Sequence, residues 1–355
     1  MGFVSVKAGW DAVENAEKLV EQRRIGHDAP LLTLPQIKTQ LRGAVDKVMS
    51  EGSLYDEELA ALAIKQAQGD LIEASFLLRA YKTTLERKGY SLPILGKEMR
   101  VLRRISSTFK DVPGGQILGE SLDYSLRLLN FNLMEENKTE TEDIEDNQEK
   151  DTLREFSYPK VSEILRKEGI VVTEKKEEFS VDITRESIVF PAPRSAILQS
   201  LARGEEGAML CLAYSSLRGY GPVHPTIAEL RRGYLPVRIK HPITGDTVKI
   251  GEIRATECEA VVPEYREKQI FGLGYGLVLG YNERKAISMA VLDKTLQSKE
   301  HKTPSEDEEF VLYHIDGIDS SGFVEHLKLP HYIFFQSDLD RLRKIQEKSD
   351  TYAKK

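Results

Sequence analysis

The sequence predicts an α+β protein, with an N-terminal helical bundle followed by a mixed α/β C-terminal half that holds a small antiparallel sheet. Three observations lead there. Apolar residues recur at helical spacing through the first ninety positions. Two runs of strand-forming residues, 234–239 and 247–253, flank a Gly245-Asp246 turn. Helices come first and strands later, which is the α+β order and not the alternation of a parallel sheet. At 355 residues the chain is long enough for two domains and a sizeable core.

Ala12, Val13, Ala16, Leu19 and Val20 share one face of a first helix. Thr33 and Gln36 have capping-box spacing, with Pro35 tolerated in the first turn, and open a second helix. Ile37, Leu41, Ala44, Val45 and Val48 continue it to a stop at Gly52. Asp56, Glu57 and Glu58 suit the positive end of a third helix, which Gly69 ends. Asp70 and Glu73 open a fourth that runs through Phe76, Leu77, Leu78 and Tyr81 toward Gly89. Short connections predict antiparallel neighbours. Residues 100–131 carry no clear period. They hold Arg103-Arg104-Ile105-Ser106, a turn at Lys110-Asp-Val-Pro-Gly-Gly115, and an amphipathic stretch from Leu122 to Leu129.

In the second half, Ala196–Leu217 reads as two short helices broken near Gly204. Gly272–Gly280 reads as a glycine-rich strand or bulge where backbones approach closely. Asn282 caps a helix through Ala286, Met289 and Leu296. Phe310–Ile315 reads as a strand, and Ser337 to Lys348 as a charged surface helix. The expected organisation is a mainly helical domain at 1–134, an acidic flexible linker at 135–151, and a mixed α+β domain at 152–355.

The net charge of −7 belongs to that linker alone, because 135–151 holds nine acids and two bases. The remainder balances, so overall acidity says nothing against anionic ligands. No apolar run reaches the ~20 residues that span a bilayer, and the N-terminus lacks a secretory or myristoylation pattern. The two cysteines, Cys211 and Cys258, fit a reducing cytoplasm and offer no disulfide framework. Cys211, in an apolar run, reads as a core residue. Neither a nucleic-acid partner nor a membrane is expected. The glycines of 272–280 miss the dinucleotide spacing at Leu277, and no phosphate-loop or Gly-x-Ser-x-Gly pattern exists.

Two features can carry chemistry. His326 and His331 are five apart, with Pro330 breaking any helix between them. They read either as unrelated surface histidines or as two zinc ligands that need others to complete the shell. Arginines beside small residues recur: Arg103 and Arg104 ahead of Gly114-Gly115, Arg194, Arg203-Gly204, Arg218-Gly219 and Arg231-Arg232-Gly233. They read as phosphate forks with close backbone N–H groups, or as helix C-terminal caps, which suits Arg203 and Arg232 well.

Long blocks of the sequence carry a resemblance. They include Glu58–Ala67, Phe76–Tyr81, Arg103–Ser106, Lys110–Gln116, Arg218–Gly221, Gly274–Val278, Glu283–Ala286, Asp307–Leu312 and His326–Tyr332. Through them the chain resembles the PhnI family of the bacterial carbon–phosphorus lyase complex over nearly its whole length. It departs from the family pattern at Gly272-Leu273, where a basic residue is usual, and at Ala192, where cysteine is. The resemblance implies a transferase of phosphonate catabolism that displaces the purine of ATP or GTP with an alkylphosphonate. The product is ribose 1-alkylphosphonate 5-triphosphate, and the subunit alone is expected to act as a nucleosidase. It further implies a self-associating pair inside a multi-subunit complex, with zinc held by His326 and His331 where the radical-SAM lyase subunit docks.

That chemistry needs an acid for the departing purine, cations for the phosphates, and Mg2+ on the triphosphate. Asp111, Glu205 and Glu206 are the candidate acids, each with a turn or helix-cap alternative. Arg103, Arg104, Lys110, Gly114, Gly115, Arg194, Arg203 and Arg218 are the candidate phosphate contacts. A non-catalytic scaffold that supplies the zinc ligands is the alternative function.

Overall fold

The computed structural model describes residues 9–26, 28–135, 158–171, 181–220, 224–265, 269–298 and 302–353. Apart from Glu135, the acidic tract of 135–151 lies outside the described residues. The N-terminal helices are α1 (Trp10–Ile25), α2 (Leu34–Gln40), α3 (Arg42–Gly52), α4 (Glu57–Gln66) and α5 (Leu71–Thr84). The capping box of Thr33 and Gln36 forms at α2, and the Asp56 and Asp70 carboxylates cap α4 and α5. Such caps contribute about 1 kcal/mol each. Ile37, Val45, Val48, Met49, Ile64, Ala74 and Leu78 form one core among α2–α5, whereas α1 buries none of its residues.

Strands β1 (Arg100–Ile105), β2 (Thr226–Lys240), β3 (Thr247–Tyr265) and β4 (Gln269–Leu279) form an antiparallel sheet in the order β1-β2-β3-β4. The predicted strands at 234–239 and 247–253 are the paired ends of β2 and β3, with Gly245 at φ 75° in their turn. β1 comes from the unclassified stretch and joins the first 134 residues to the same sheet as the second half.

The two faces of the sheet differ. Helices α7 (Arg194–Arg203), α8 (Glu206–Ser215) and α9 (Glu283–Leu296) cover one face together with α10 (Glu308–His314). Leu230, Cys258, Ala260 and Val278 meet Leu201, Met209, Met289 and Val311 there in the main core. Glycine is required on this face: a Cβ on Gly274 or Gly276 would lie 2.0 or 2.2 Å from the carbonyl oxygens of Ala290 and Ala286. The other face carries buried Glu229, Arg231, Glu257 and Glu259. Arg104 of β1 pairs with Glu229, Arg231 with Glu257, and Lys160 with Glu257 at 2.7 Å. Lys160 immediately precedes the short α6 (Val161–Lys167).

Four sequence expectations need correction. Residues 310–314 are helical and Ile315 caps that helix, so the run is not a strand. The Asp307 side chain accepts from the Phe310 N–H at 2.9 Å, and Val311 and Ile315 share the buried face of one turn, so capping and burial override the β-prone run. The helix expected from 36 to 52 breaks at Leu41, whose ψ of 37° separates α2 from α3. Arg232 lies mid-strand and caps no helix. The glycine after it admits β1, because a Cβ there would meet the Arg100 carbonyl oxygen at 2.0 Å. Cys211 is exposed, on the side of α8 away from buried Met209 and Ala213. The chain ends in α11 (Gly317–His326) and α12 (Tyr332–Ala353). No described helix is long and apolar enough to cross a membrane.

Candidate active cleft

A cleft of about 1000 Å³ opens between α3, the start of α8, the β4–α9 corner and the 120–128 segment. Lys47, Arg127, Arg232 and Arg284 supply its cations, and Glu120, Asp123, Glu206 and Glu283 its acids. The corner is shaped by Asn282. Its side-chain oxygen accepts from Lys285 N–H at 3.0 Å and caps α9, while its amide donates to Glu206 Oε2 at 2.9 Å. Arg284 Nε reaches Glu206 Oε1 at 2.8 Å, so both oxygens of this buried carboxylate are held at the cleft wall. Tyr281 stands beside them with the guanidiniums of Arg232, Arg254 and Arg42 at 5.1, 5.6 and 6.0 Å from its ring centre. Burial pushes its phenol up. Arg254 is in turn fixed by Asp46 at 2.7 Å and Glu57 at 2.8 Å.

Below the wall lies a cluster of buried ionisable groups. Glu51, 3% exposed, accepts the Glu206 backbone N–H at 3.1 Å. Lys285, 0% exposed, donates to Ser50 Oγ at 2.7 Å. Lys47 reaches from the cleft to Glu205 at 3.2 Å and to Glu51 at 3.9 Å. Burial raises the Glu51 carboxyl to about 7 against the pull of Lys285 and Lys47. Burial lowers the Lys285 ammonium to about 8. Glu205 differs. Burial would raise it, but N–H bonds from Gly207 at 2.8 Å and Ala208 at 2.7 Å, with Lys47, hold it below the usual carboxylate range. It is the ionised cap of α8 and poorly suited to give up a proton.

The structure brings only part of the expected site to this cleft. Glu206 lines it, and Glu205 stands behind it. Arg103 lies under it, bonded to Glu283 at 2.7 Å, the Leu118 carbonyl at 2.6 Å and Asp123. Its neighbour Arg104 points to the opposite sheet face. There it ties Glu229 to the carbonyls of Pro113, Gly115 and Pro159, so it meets the Gly114-Gly115 turn as a brace. Lys110 and Asp111 are exposed on that turn. Arg194 forms a two-point pair with Asp293 at 2.7 and 3.1 Å. Arg203 ends α7 as a cap, 3.5 Å from Asp316. Arg218 is exposed beside Tyr214.

The two histidines lie at the far end of the chain, with ring centres 5.2 Å apart. His326 Nδ1 faces the Phe323 carbonyl, and His331 Nδ1 faces the Leu329 carbonyl at 2.6 Å. A carbonyl only accepts, so each Nδ1 carries a proton, and in the neutral ring that leaves the lone pair on Nε2. This is the arrangement of metal-ligating imidazoles. Among the described residues no third His, Cys, Asp or Glu joins them.

Sequence reasoning missed Lys47, Glu51, Arg127, Arg284 and Lys285, and it read Arg232 as a phosphate fork or, better, as a helix cap. One signal was available. Lys285 stands in the first turn of α9 and Glu51 in the last turn of α3, each at the helix end that disfavours its charge.

Comparisons agree with the earlier resemblance. The family model described as bacterial phosphonate metabolism protein (PhnI) matches residues 2–349. The chain is 48% identical to a putative C-P lyase subunit protein HtxH of Stutzerimonas stutzeri, across 98% of this chain and 97% of the relative. It is 46% identical to the alpha-D-ribose 1-methylphosphonate 5-triphosphate synthase subunit PhnI of Escherichia coli (strain K12), across 98% and 99%. The protein of the same description from Rhizobium meliloti (strain 1021) is 45% identical across 98% and 96%.

Proposed function

The chain belongs to the PhnI family, and from that premise we propose that it is the purine-displacing subunit of a carbon–phosphorus lyase system for phosphonate catabolism. An alkylphosphonate oxygen attacks the anomeric carbon of ATP or GTP, and the purine departs. The observation that carries the location is the cleft, large enough for a nucleotide and lined by Lys47, Arg127, Arg232 and Arg284. These cations suit a triphosphate and a phosphonate held close together, with Mg2+ on the triphosphate. Glu206, with both oxygens bonded, orients Asn282 and Arg284 at the wall. Water exclusion decides between transfer and hydrolysis, so nucleosidase activity is expected when the phosphonate is absent.

His326 and His331 would hold zinc through their Nε2 atoms, leaving positions for ligands from the radical-SAM lyase subunit. Zinc there joins the two chains. An assembly role is favoured by one observation: Phe323, Tyr332, Ile333, Phe334 and Phe335 are exposed around the histidines, a patch of the kind that marks docking surfaces, including those between copies of a chain. Enzyme and assembly roles are compatible.

The test incubates the protein with ATP, with and without partner subunits and methylphosphonate, and follows free adenine. Release with partners present is expected. No release above background under any of these conditions overturns the reading.

A further inference from the structure

We infer that Glu51 and Lys285 form a buried proton store beneath the cleft, with Lys47 as its outlet to the departing purine. This rests on the purine-displacing reading above. A carboxylate near the C-terminal end of α3 and an ammonium in the first turn of α9 both oppose the helix dipole. Both are also removed from water, which disfavours the charged form of each. Neither helix gains stability from its own member. Residues that break local rules together in this way are characteristic of functional sites.

The cluster is also connected to the cleft. Glu51 holds the first backbone N–H of α8, that of Glu206, whose side chain lines the cleft. Lys47, one turn before Glu51 on α3, lines the cleft and bridges to Glu51 and Glu205. The charged groups around Glu51 are Lys47 of its own helix, Lys285 of α9, and Glu205 and Glu206 at the start of α8. Arg79 of α5 and Arg203 of α7 share the crevice beside it, and Arg79 donates to the Glu51 carbonyl at 2.7 Å.

The proton balance closes within these groups. The bond from the anomeric carbon to the purine nitrogen breaks, and its electron pair leaves with the base. The base takes a proton from the Lys47 ammonium, which regains one from the Glu51 carboxyl. The phosphonate oxygen forms the new bond to the anomeric carbon. Glu51 is left as a carboxylate facing two ammonium groups, Lys47 and Lys285, which stabilise it. Burial raises Glu51 to about 7, so the carboxyl still holds its proton in part of the molecules near neutral pH.

Adenine release by the assembled complex, followed from pH 5.5 to 8.5, tests this. The wild-type rate should fall as pH rises through about 7, because the proton-bearing form is the active one. Glu51→Gln should lower the rate by about 100-fold, abolish that limb and leave KM for ATP unchanged. Lys285→Met removes a cation that loosens the Glu51 proton, so it should move the limb to higher pH. A full rate and an unchanged limb in Glu51→Gln overturn the inference while the purine-displacing reading stands. If wild type itself releases no adenine, that reading falls instead. Should Glu51→Gln fail to assemble, an unmoved limb in Lys285→Met overturns the inference.

Discussion

The cleft floor and the C-terminal helices hold the chain's two most distinctive clusters, and they are built in opposite ways. At the floor, Glu51, Lys285, Glu206 and Asn282 are buried, and their polar atoms are answered by other parts of the same chain. At the C-terminus, the histidines stand among exposed aromatic residues, and α11 has no buried residue. The floor is complete within one subunit. On the zinc reading proposed above, the histidine pair supplies two ligands and a partner supplies the rest. A single chain can hold charges out of water only where its own packing is dense, and here the floor's buried charged groups sit between α3, α8 and α9.

The largest effect that sharpens this contrast is loss of metal. Replacing both His326 and His331 with Ala should remove zinc from the assembled complex, read by elemental analysis, and leave adenine release intact. Retained zinc would break the contrast at its C-terminal side. Next, Asp46→Ala should lower unfolding stability by about 3 kcal/mol in a denaturant titration, because it strips a partner from buried Arg254 and an acceptor from Tyr281 N–H. A change near zero would mean that the floor is not a packed unit.

A smaller and signed effect comes from Glu51. Its folded carboxyl titrates near 7, above the ordinary value of 4.5, so the folded state binds that proton more tightly than the unfolded chain does. Its contribution to stability is therefore full below about pH 4.5 and is lost as pH rises through 7. The denaturation midpoint of wild type should fall relative to Glu51→Gln between pH 5 and 7.5. An identical pH dependence of the two would remove the floor's titrating group. The smallest effect is at the exposed end: Lys328→Ala, which breaks a surface pair with Glu325 at 2.7 Å, should change stability by less than about 0.5 kcal/mol.

The sequence was a good guide wherever the signal was local. The Thr33–Gln36 capping box, the Asp56 and Asp70 caps, the helix break at Gly204 and the Gly245 turn all depend on neighbours within a few residues, and all are present. It was a poor guide at Phe310–Ile315, where β-prone residues form a capped helix because burial of Val311 and Ile315 selects a helical period. Among site residues, Glu206 could be named, but its role as the carboxylate joining Asn282 to Arg284 could not.

By itself the sequence determined the class of fold, the family to which the chain belongs, and the position of the histidine pair, since these rest on periodicity, caps and long blocks of identity. Only the tertiary structure decided which charges face the cleft. Arg103 and Arg104 are consecutive, yet strand alternation sends one beneath the cleft and the other to the opposite face of the sheet. Glu51 and Lys285 are 234 positions apart and share a cluster only because α3 and α9 meet beside the sheet. Burial, and with it the displaced titration of both groups, is a property of that meeting and not of either residue alone.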